Sequence, residues 1–329
     1  MKKLALAALV AALATAAEAQ VTVKLGTLAP AGSSWHDILK ELAGRWDQLS
    51  GGQVKLKLFA GGTQGSEGDM VRKMRINQLQ AASITNIGMH DVLPDPQVLS
   101  APGLFADEAE MECAFKAVRP KIEAAFDQKG FVVLQWSRVG TITLFCSKPM
   151  KVPADLATAK VFAWEGDPKS VEAFRASGFN PVVLASTDIV QSLQTGLIDC
   201  VTSVPLYVLT AGMHAKAKYM VDLPWGYMLG ATVVRKETWE KIPADVRPKL
   251  QQAAEELGVK VDGEVRRLNV DAIAAMKKQG LEIASVDPAP WRVAMEKSHA
   301  VIRGGVVPAP WFDEVKAARD ACRAAPKKR

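Results

Sequence analysis

The stretch that decides the fold is Ser192-Leu193-Gln194-Thr195-Gly196-Leu197-Ile198-Asp199. Gly196 comes after a helix-like segment, and glycine is the residue that most often follows the last turn of a helix. We therefore expect a helix over residues 188–195 and a strand over residues 198–204 immediately after it. A helix that leads directly into an apolar strand is typical of an α/β protein.

The same alternation of strand and helix extends along the chain on both sides of this stretch. The other predicted strands are 21–28, 54–59, 81–87, 132–136, 140–147, 160–163, 181–184, 219–223 and 231–234. The other predicted shorter helices are 33–49, 69–77, 107–129, 169–177 and 311–324. We expect strands 219–223 and 231–234 to return to the first of two domains. From Pro243 to about Gln279, apolar residues recur every three or four positions, which predicts a helix about 50 Å long that can lie across both domains.

The two ends of the chain differ in character. Residues 1–19 begin with Lys2 and Lys3, continue in an apolar run and end in the small-x-small site Ala17-Glu18-Ala19. This pattern predicts a secretory signal peptide cleaved after Ala19, and hence a periplasmic protein. The net charge of +6 is modest, and the densest basic cluster is the terminal Lys327-Lys328-Arg329. No basic stripe is interleaved with aromatic residues, so we do not expect nucleic-acid binding.

Four cysteines are present, Cys113, Cys146, Cys200 and Cys322. No CxxC pair occurs among them, so a structural zinc site is not expected. Export permits disulfides, and Cys113 and Cys322 lie in alanine-rich helical segments that a long-range bond can join. Cys146 and Cys200 lie in apolar strand-like runs, and we expect them to be buried thiols. The spacing leaves the connectivity open.

An enzyme is disfavoured by the motifs that the sequence lacks. None of the four histidines, His36, His90, His214 and His299, lies in an HExxH motif or beside a GxSxG nucleophile elbow. The glycine-rich segment 61–68 matches neither a phosphate-binding loop nor a dinucleotide-binding motif. We therefore predict a binding protein without catalytic residues, cofactor or metal.

A set of motifs in a fixed order makes the prediction more specific. They are Leu25-Gly26-Thr27-Leu28-Ala29-Pro30 followed by Trp35; Phe59-Ala60-Gly61-Gly62-Thr63-Gln64-Gly65; Ser147-Lys148-Pro149-Met150 followed by Pro153-Ala154-Asp155-Leu156; and the stretch 192–199. Their order and spacing resemble the DctP-like extracytoplasmic solute receptors of TRAP transporters over essentially the whole chain after residue 19. In that family the last motif is the helix-to-strand crossing between domains.

The resemblance implies the two-lobed periplasmic binding protein fold, with crossing strands as hinges and the long helix spanning both lobes. The first lobe would comprise residues 20–138 and 204–245, the second 139–203 and 246–285, and the helices of 286–329 would pack across both. A ligand bound between the lobes favours closure, because contacts with both lobes form only in the closed state. The closed monomer would deliver its ligand to TRAP membrane subunits; a membrane signalling protein is the alternative partner.

Three positions depart from what the resemblance implies. Family members usually hold the ligand carboxylate with an arginine in the strand after the Asp-Leu segment, and Phe162 takes that place here. A second common basic position corresponds to Ile142, and a usual Glu-Asn pair corresponds to Thr202-Ser203. A carboxylate buried without a cation keeps its desolvation cost. We therefore expect a largely apolar, aromatic or lipid-like ligand, with a conventional carboxylate held by other groups as the alternative.

The candidate ligand-binding residues combine aromatic side chains with polar groups from loops of both lobes. They are Trp35, Gln64, Glu67, Asn86, Phe162, Trp164, Glu165, Thr202, Tyr207, Trp225 and Tyr227. Aromatic walls favour apolar or flat ligands, and a few polar groups fix their orientation. Alternatively, Trp164 is a core residue with Glu165-Gly166-Asp167 as a solvated turn, and Glu67 is an acid at a helix start. Trp136 and Trp225 fit a core position at least as well as a site position.

Overall fold

The computed structural model describes residues 20–166 and 168–325. The predicted signal peptide, Asp167 and the basic cluster at residues 327–329 lie outside these residues. The strands are β1 Val21–Thr27, β2 Val54–Phe59, β3 Ala81–Thr85, β4 Phe131–Cys146, β5 Lys160–Trp164, β6 Asn180–Leu184, β7 Cys200–Ser203, β8 Tyr219–Val221, β9 Gly226–Arg235 and β10 Glu282–Ala284. The helices are α1 Ser34–Leu49, α2 Glu67–Arg75, α3 Asn86–His90, α4 Glu108–Gln128, α5 Pro168–Ala176, α6 Ile189–Thr195, α7 Pro205–Thr210, α8 Lys236–Glu240, α9 Arg247–Lys278, α10 Pro288–Val301 and α11 Ala309–Ala324.

The sheet has two halves that meet along β4. In the first half, β1 lies between β2 and β3 and is parallel to both, and β9 is antiparallel to β3 and β4. In the second half, β5 is parallel to β6 and β7. Residues 131–142 of β4 pair with β9, whereas residues 143–146 pair with β7. One continuous strand therefore connects the halves, where the sequence predicts two separate segments.

Strand β8 lies in the other half from the one predicted. It pairs with Phe145 and Cys146 of β4 and with β10, and so belongs to the second half of the sheet. The assignment of 219–223 to the first lobe was wrong because a short strand carries no sign of its partner in its own sequence. Strand β9, in contrast, lies in the first half as predicted.

The long helix α9 is fixed to the crossing strands through Asn269. Its 32 residues correspond to a length of about 48 Å. Asn269 Nδ2 donates to the Val139 carbonyl of β4 at 3.1 Å, and its Oδ1 accepts from Leu206 N at 2.9 Å, just after β7. Gly140 has φ +142°, and a Cβ there would lie 2.8 Å from Asn269 Nδ2. Glycine at this position therefore lets the helix approach the strand closely.

An ion-pair network lies beside this junction. Arg138 Nη1 is 2.8 Å from Glu112 of α4, and Arg138 Nε is 3.1 Å from Asp262 of α9. The Arg138 backbone N–H also donates to Asp262 at 2.7 Å. Two helices and the crossing strand are thus joined where the sheet halves meet.

The two C-terminal helices pack on different helices of the molecule. Helix α10 packs on α5, and helix α11 packs on α4. A disulfide between Cys113 of α4 and Cys322 of α11 fastens the second contact, with the Cα atoms 6.1 Å apart. This is the long-range pair considered from the sequence.

Cys146 and Cys200 form a second disulfide, so the prediction of two buried thiols was wrong. The two residues are directly opposite each other on β4 and β7, with Cα atoms 4.1 Å apart. Cross-strand neighbours are close enough for a bond, but their register is not visible in the sequence. The bond links the crossing strand to the strand that follows Gly196.

Helix boundaries follow the caps. Ser33 is the N-cap of α1 and its side chain accepts from His36 N, and Gly196 ends α6 in the left-handed conformation. Strand β3 ends at Thr85, whose side chain caps α3, so Asn86 and Ile87 are helical where a strand was predicted. None of the helices that the structure describes has both the length and the hydrophobicity to traverse a bilayer.

Candidate functional site

Two adjacent cavities lie between the halves of the sheet. Their volumes are about 150 and 140 Å³. They share the side chains of Ile87, Phe162, Thr202 and Met228. Phe162 and Thr202 come from β5 and β7 of the second half, and Ile87 and Met228 from α3 and β9 on the opposite side. The shared residues therefore form a waist that is built from both lobes.

Phe162 faces the cleft because of its place in β5. Alternate residues of a strand point to opposite faces, so Phe162 points away from Val161 and Ala163. Its backbone pairs with Val182 of β6 in the middle of the parallel ladder. The ring is only 6% exposed. The apolar ring is thus held at the waist by the strand itself.

The first cavity, which we call the aromatic compartment, is walled mainly by aromatic rings. Phe174 of α5, Phe179 and Trp225 form a cluster in which the Phe179 and Trp225 centroids are 5.2 Å apart. Trp164 and Ile142 also line this compartment. Asn86 enters it from α3 on the opposite side. Such walls offer dispersion contact and few hydrogen bonds.

The second cavity, the hydroxyl-rich compartment, has a different lining. Trp35, Tyr207 and Glu67 contribute the large side chains. Small hydroxyl residues fill much of the remaining wall; they are Thr27, Ser83, Thr85, Ser137, Ser186, Thr202 and Ser203. Hydroxyl groups can donate or accept hydrogen bonds. This compartment can therefore orient a polar group of a ligand.

Glu67 is held at the start of α2 by three hydrogen bonds. Its Oε1 accepts from Thr85 N at 3.0 Å, and its Oε2 accepts from Thr85 Oγ1 at 2.8 Å and Gly88 N at 2.7 Å. A Cβ at Gly88 would lie 2.6 Å from Glu67 Cβ, so the site requires glycine there. Burial raises the pKa of Glu67, although the bonds from Thr85 and Gly88 act in the opposite direction. Burial also raises the pKa of the neighbouring Tyr207, and the Glu67 charge adds to that shift.

Two polar atoms of the cleft are buried without a hydrogen-bond partner among the described residues. One is Trp35 Nε1 in the hydroxyl-rich compartment, and the other is Asn86 Oδ1 in the aromatic compartment. The Asn86 side chain is fixed, since its Nδ2 donates to Gln97 Oε1 at 3.2 Å. Buried polar groups normally have partners. The two atoms are therefore available to a ligand.

Contacts between the lobes close the cleft. The rings of His90 in α3 and Trp164 in β5 meet edge to face with centroids 5.9 Å apart. Trp164 lies over Gly166, where a Cβ would be 2.0 Å from the indole ring. At the glycine-rich loop, a Cβ at Gly62 would lie 3.7 Å from Thr187 of the second lobe. The structure thus shows a closed arrangement.

Three of the predicted site residues line neither compartment. Gln64 is bonded to Lys73, whose Nζ is 3.2 Å from Gln64 Oε1. Glu165 is exposed beyond the end of β5, and Tyr227 is buried with its ring against Phe105. The other eight predicted residues line one compartment or both, namely Trp35, Glu67, Asn86, Phe162, Trp164, Thr202, Tyr207 and Trp225.

Trp136, Phe174 of α5 and Phe179 after that helix show what the sequence left undecided. Trp136 packs between Phe115 and Phe126 and donates to Glu123, which is the core position considered from the sequence. Phe174 and Phe179 were not predicted in the site. The only feature of the sequence that points to these two residues is a pair of aromatic residues near the end of a predicted helix. Many helices that pack in a protein core have the same feature.

The charges of the cleft are few. Among the described residues that line the two compartments there is no lysine, arginine or histidine, and Glu67 is the sole carboxylate. Arg138, which lies near the junction of the sheet halves, is engaged with Glu112 and Asp262. The described residues that line the two compartments therefore supply no cationic side chain to pair with an anion.

A family model described as bacterial extracellular solute-binding protein, family 7 (DctP), matches residues 25–303. Among curated relatives, the C4-dicarboxylate-binding periplasmic protein DctP of Rhodobacter capsulatus is 28% identical over 232 residues, or 68% of each chain. The 2,3-diketo-L-gulonate-binding periplasmic protein YiaO of Escherichia coli K12 is 24% identical over 275 residues, which cover 83% of this chain and 84% of that protein.

Solved structures agree in fold. A TRAP periplasmic solute-binding protein from Xanthobacter autotrophicus Py2 with bound β-D-galacturonate has a TM-score of 0.84 at 17% identity, covering 91% of this chain and 99% of the other. One from Ralstonia eutropha H16 with bound (S)-2-acetolactate has a TM-score of 0.84 at 21% identity, covering 92% and 99%. The predicted two-lobed α/β fold is confirmed.

The match to the family extends from the first strand to the end of the tenth helix, and so includes both lobes and the cleft between them. Family membership also confirms the prediction of a receptor over that of an enzyme. The chain belongs to the DctP family of bacterial extracellular solute-binding proteins, the receptors of TRAP transporters.

Proposed function

We propose that this receptor binds an uncharged, largely apolar organic molecule in the periplasm and delivers it to TRAP membrane subunits. The observation that carries the proposal is the absence of any cation among the described residues that line the two compartments. A carboxylate taken out of water there would lose its hydration without gaining a charged partner. Glu67 would add repulsion between like charges.

The lining supports the same proposal. Phe162, Trp164, Phe174, Phe179 and Trp225 bring five aromatic rings to the aromatic compartment. Rings of this kind gain most from apolar or flat ligands, since each CH₂-sized group removed from water contributes about 0.8 kcal/mol. In this proposal Phe162 stands where relatives would hold a carboxylate with arginine.

Closure supplies the link to transport. A ligand at the waist contacts Phe162 and Thr202 on one side and Ile87 and Met228 on the other, so its binding energy favours the closed state. We propose that the lobes divide as predicted, except that β8 belongs to the second lobe. We further propose that the chain is exported by cleavage after Ala19 and acts as a monomer.

A second candidate is a carboxylate that shares a proton with Glu67. The ligands of similar proteins, such as C4-dicarboxylates and β-D-galacturonate, favour it. The raised pKa of Glu67 allows the buried acid to be neutral and to donate to a ligand carboxylate, as paired carboxyls do. In this case the hydroxyl groups and Trp35 Nε1 would supply the remaining hydrogen bonds.

Native mass spectrometry of the receptor purified gently from its own host tests the main proposal. We expect one bound molecule per chain and, after extraction, a compound without an ionisable carboxyl group. Recovery of a dicarboxylate, a sugar acid or a small keto acid at unit stoichiometry would contradict it.

Calorimetry in two buffers of different ionisation enthalpy then separates the two candidates for the recovered ligand. An uncharged ligand binds without taking up a proton. At a pH where Glu67 is ionised in the free receptor, a carboxylate that shares a proton with Glu67 takes up about one proton on binding, and its affinity falls up to about tenfold for each pH unit above the pKa of Glu67 in the free receptor.

A further inference from the structure

We propose that the ligand has two ring-sized parts joined by a narrow link, with a hydrogen-bond donor on one part and an acceptor on the other. The donor-bearing part occupies the aromatic compartment, and the acceptor-bearing part occupies the hydroxyl-rich compartment. This inference rests on the proposed function, because it assumes an uncharged ligand.

The size of the parts follows from the two volumes. Each compartment, at about 150 and 140 Å³, is close to an apolar cavity of about 150 Å³ that holds one benzene molecule. A single ring therefore fills one compartment and leaves the other empty. The side chains around an empty apolar cavity lack van der Waals contacts on that side. A ligand that fills both compartments therefore binds better than one that fills only one of them.

The link follows from the waist. Phe162 of the second lobe faces Ile87 and Met228 of the first, and these residues belong to the walls of both compartments. Phe162 is buried, and its backbone pairs with Val182 of β6 while the preceding Val161 pairs with Cys200 of β7. The Phe162 ring thus stays between the two compartments, and the part of the ligand that lies beside this ring must be narrow.

The polarity of each part follows from the two unpartnered atoms. Asn86 Oδ1 in the aromatic compartment can only accept, so it requires a hydroxyl or amide hydrogen. Trp35 Nε1 in the hydroxyl-rich compartment can only donate, so it requires a carbonyl or ether oxygen. Asn86 is 4% exposed and held by Gln97. Since the two atoms lie in different compartments, the donor and acceptor belong to different parts of the ligand.

The test uses a defined set of two-ring probes. The complete probe is 4-(4-hydroxyphenyl)cyclohexanone, which carries a phenol donor and a ketone acceptor on different rings. 4-Cyclohexylphenol lacks the acceptor, and 4-phenylcyclohexanone lacks the donor. Phenol and cyclohexanone represent the single parts. Each is titrated calorimetrically into receptor that has been unfolded, freed of ligand and refolded with its disulfides intact.

Variants connect each probe group to its partner. Asn86→Leu should weaken binding of the two phenol-bearing two-ring probes about three- to tenfold and leave 4-phenylcyclohexanone unchanged. Trp35→Phe should weaken both ketone-bearing two-ring probes by a similar factor relative to 4-cyclohexylphenol. Trp136→Phe removes a buried indole outside the compartments and serves as the matched control, with no effect on any probe.

Several results would overturn the two-part ligand. One is equal affinity for single-ring and two-ring probes, or two phenol molecules bound per chain as tightly as one two-ring probe. Another is an equal effect of each variant on all three two-ring probes. The last is no binding of the complete probe up to its solubility limit. The proposed function fails separately: tighter binding of 4-(4-hydroxyphenyl)cyclohexanecarboxylate than of the ketone would refute an uncharged ligand. Preference for uncharged single rings would refute the two-part ligand alone.

Discussion

Replacing Glu67 by glutamine should destabilise the receptor by an amount that depends on pH. Three donors converge on the Glu67 carboxyl group, Thr85 N, Thr85 Oγ1 and Gly88 N. A glutamine has only one oxygen there, and its NH₂ group would face one of these donors. A buried donor left without an acceptor costs about 1–3 kcal/mol, and we expect the free energy of unfolding to fall by that amount at low pH.

The pH dependence has a definite sign. The folded pKa of Glu67 is raised above its ordinary value of 4.5, so the folded state binds a proton more tightly than the unfolded state does. Wild-type stability therefore falls as pH rises from about 4.5 to the folded pKa, and is constant above it. Glu67→Gln lacks this fall. The difference between wild type and variant should be largest at or below pH 4.5 and smaller at neutral pH.

Urea unfolding of the ligand-free proteins, followed by the fluorescence of the eight tryptophans, measures this difference. Asp69→Asn is the matched control on the same helix. Burial alone would raise the pKa of Asp69, but hydrogen bonds from Ser66 and the charge of Arg72 hold it below 3.8. Its contribution to stability is present above pH 3.8 and is lost as pH falls through its folded pKa. A Glu67→Gln difference that grew with pH, or was absent at low pH, would refute the reasoning.

Three further predictions concern the waist, the junction and the disulfide. Phe162→Arg places a cation in the cleft; we expect weaker binding of the native ligand by calorimetry, and unchanged affinity would remove Phe162 from the site. Asn269→Leu should lower the free energy of unfolding, measured in urea, by about 2 kcal/mol because it leaves buried backbone groups unpaired. Val270 is exposed, and Val270→Ala should change the same quantity by less than about 0.5 kcal/mol. Equal effects of the two substitutions would contradict the role of Asn269. Removing Cys146 and Cys200 together should cost about 4 kcal/mol by the loop-entropy relation for a separation of 54 residues, and alkylation of all four thiols in unreduced protein would show that the bonds are absent.

The architecture was open to prediction because it depends on local patterns that recur in order. The last turn of α6, Gly196 as its end and the approach to β7 at Cys200 are all visible in or directly beside one stretch of eight residues. Caps such as Ser33 also act within a few residues of their own position. The pairing of β8 and the Cys146–Cys200 bond were not predictable in this way, since both depend on the register between strands distant in sequence.

The cleft was predictable only in part, for a related reason. Phe162 and Trp164 are two residues apart in β5 and so lie on one face of the strand, and both were among the predicted site residues and line the aromatic compartment. Tyr227 has the same alternation on β9, yet its ring points into the core of the first lobe. Which face of a strand borders a cleft depends on what packs against it, and the sequence of the strand does not contain that information.

The features that restrict the ligand most are not visible in any local pattern of the sequence. Whether an atom such as Asn86 Oδ1 has a hydrogen-bond partner depends on all of its neighbours in space. Asn86 is helical, whereas the sequence predicts a strand over 81–87. The absence of a cation is likewise a property of the whole lining. Each compartment then adds one requirement: the aromatic rings favour apolar surface, and Glu67 disfavours negative charge. In our proposal, a ligand that meets both requirements and also satisfies Asn86 and Trp35 is uncharged and carries a donor and an acceptor, so polarity without charge is the property that we propose this cleft selects.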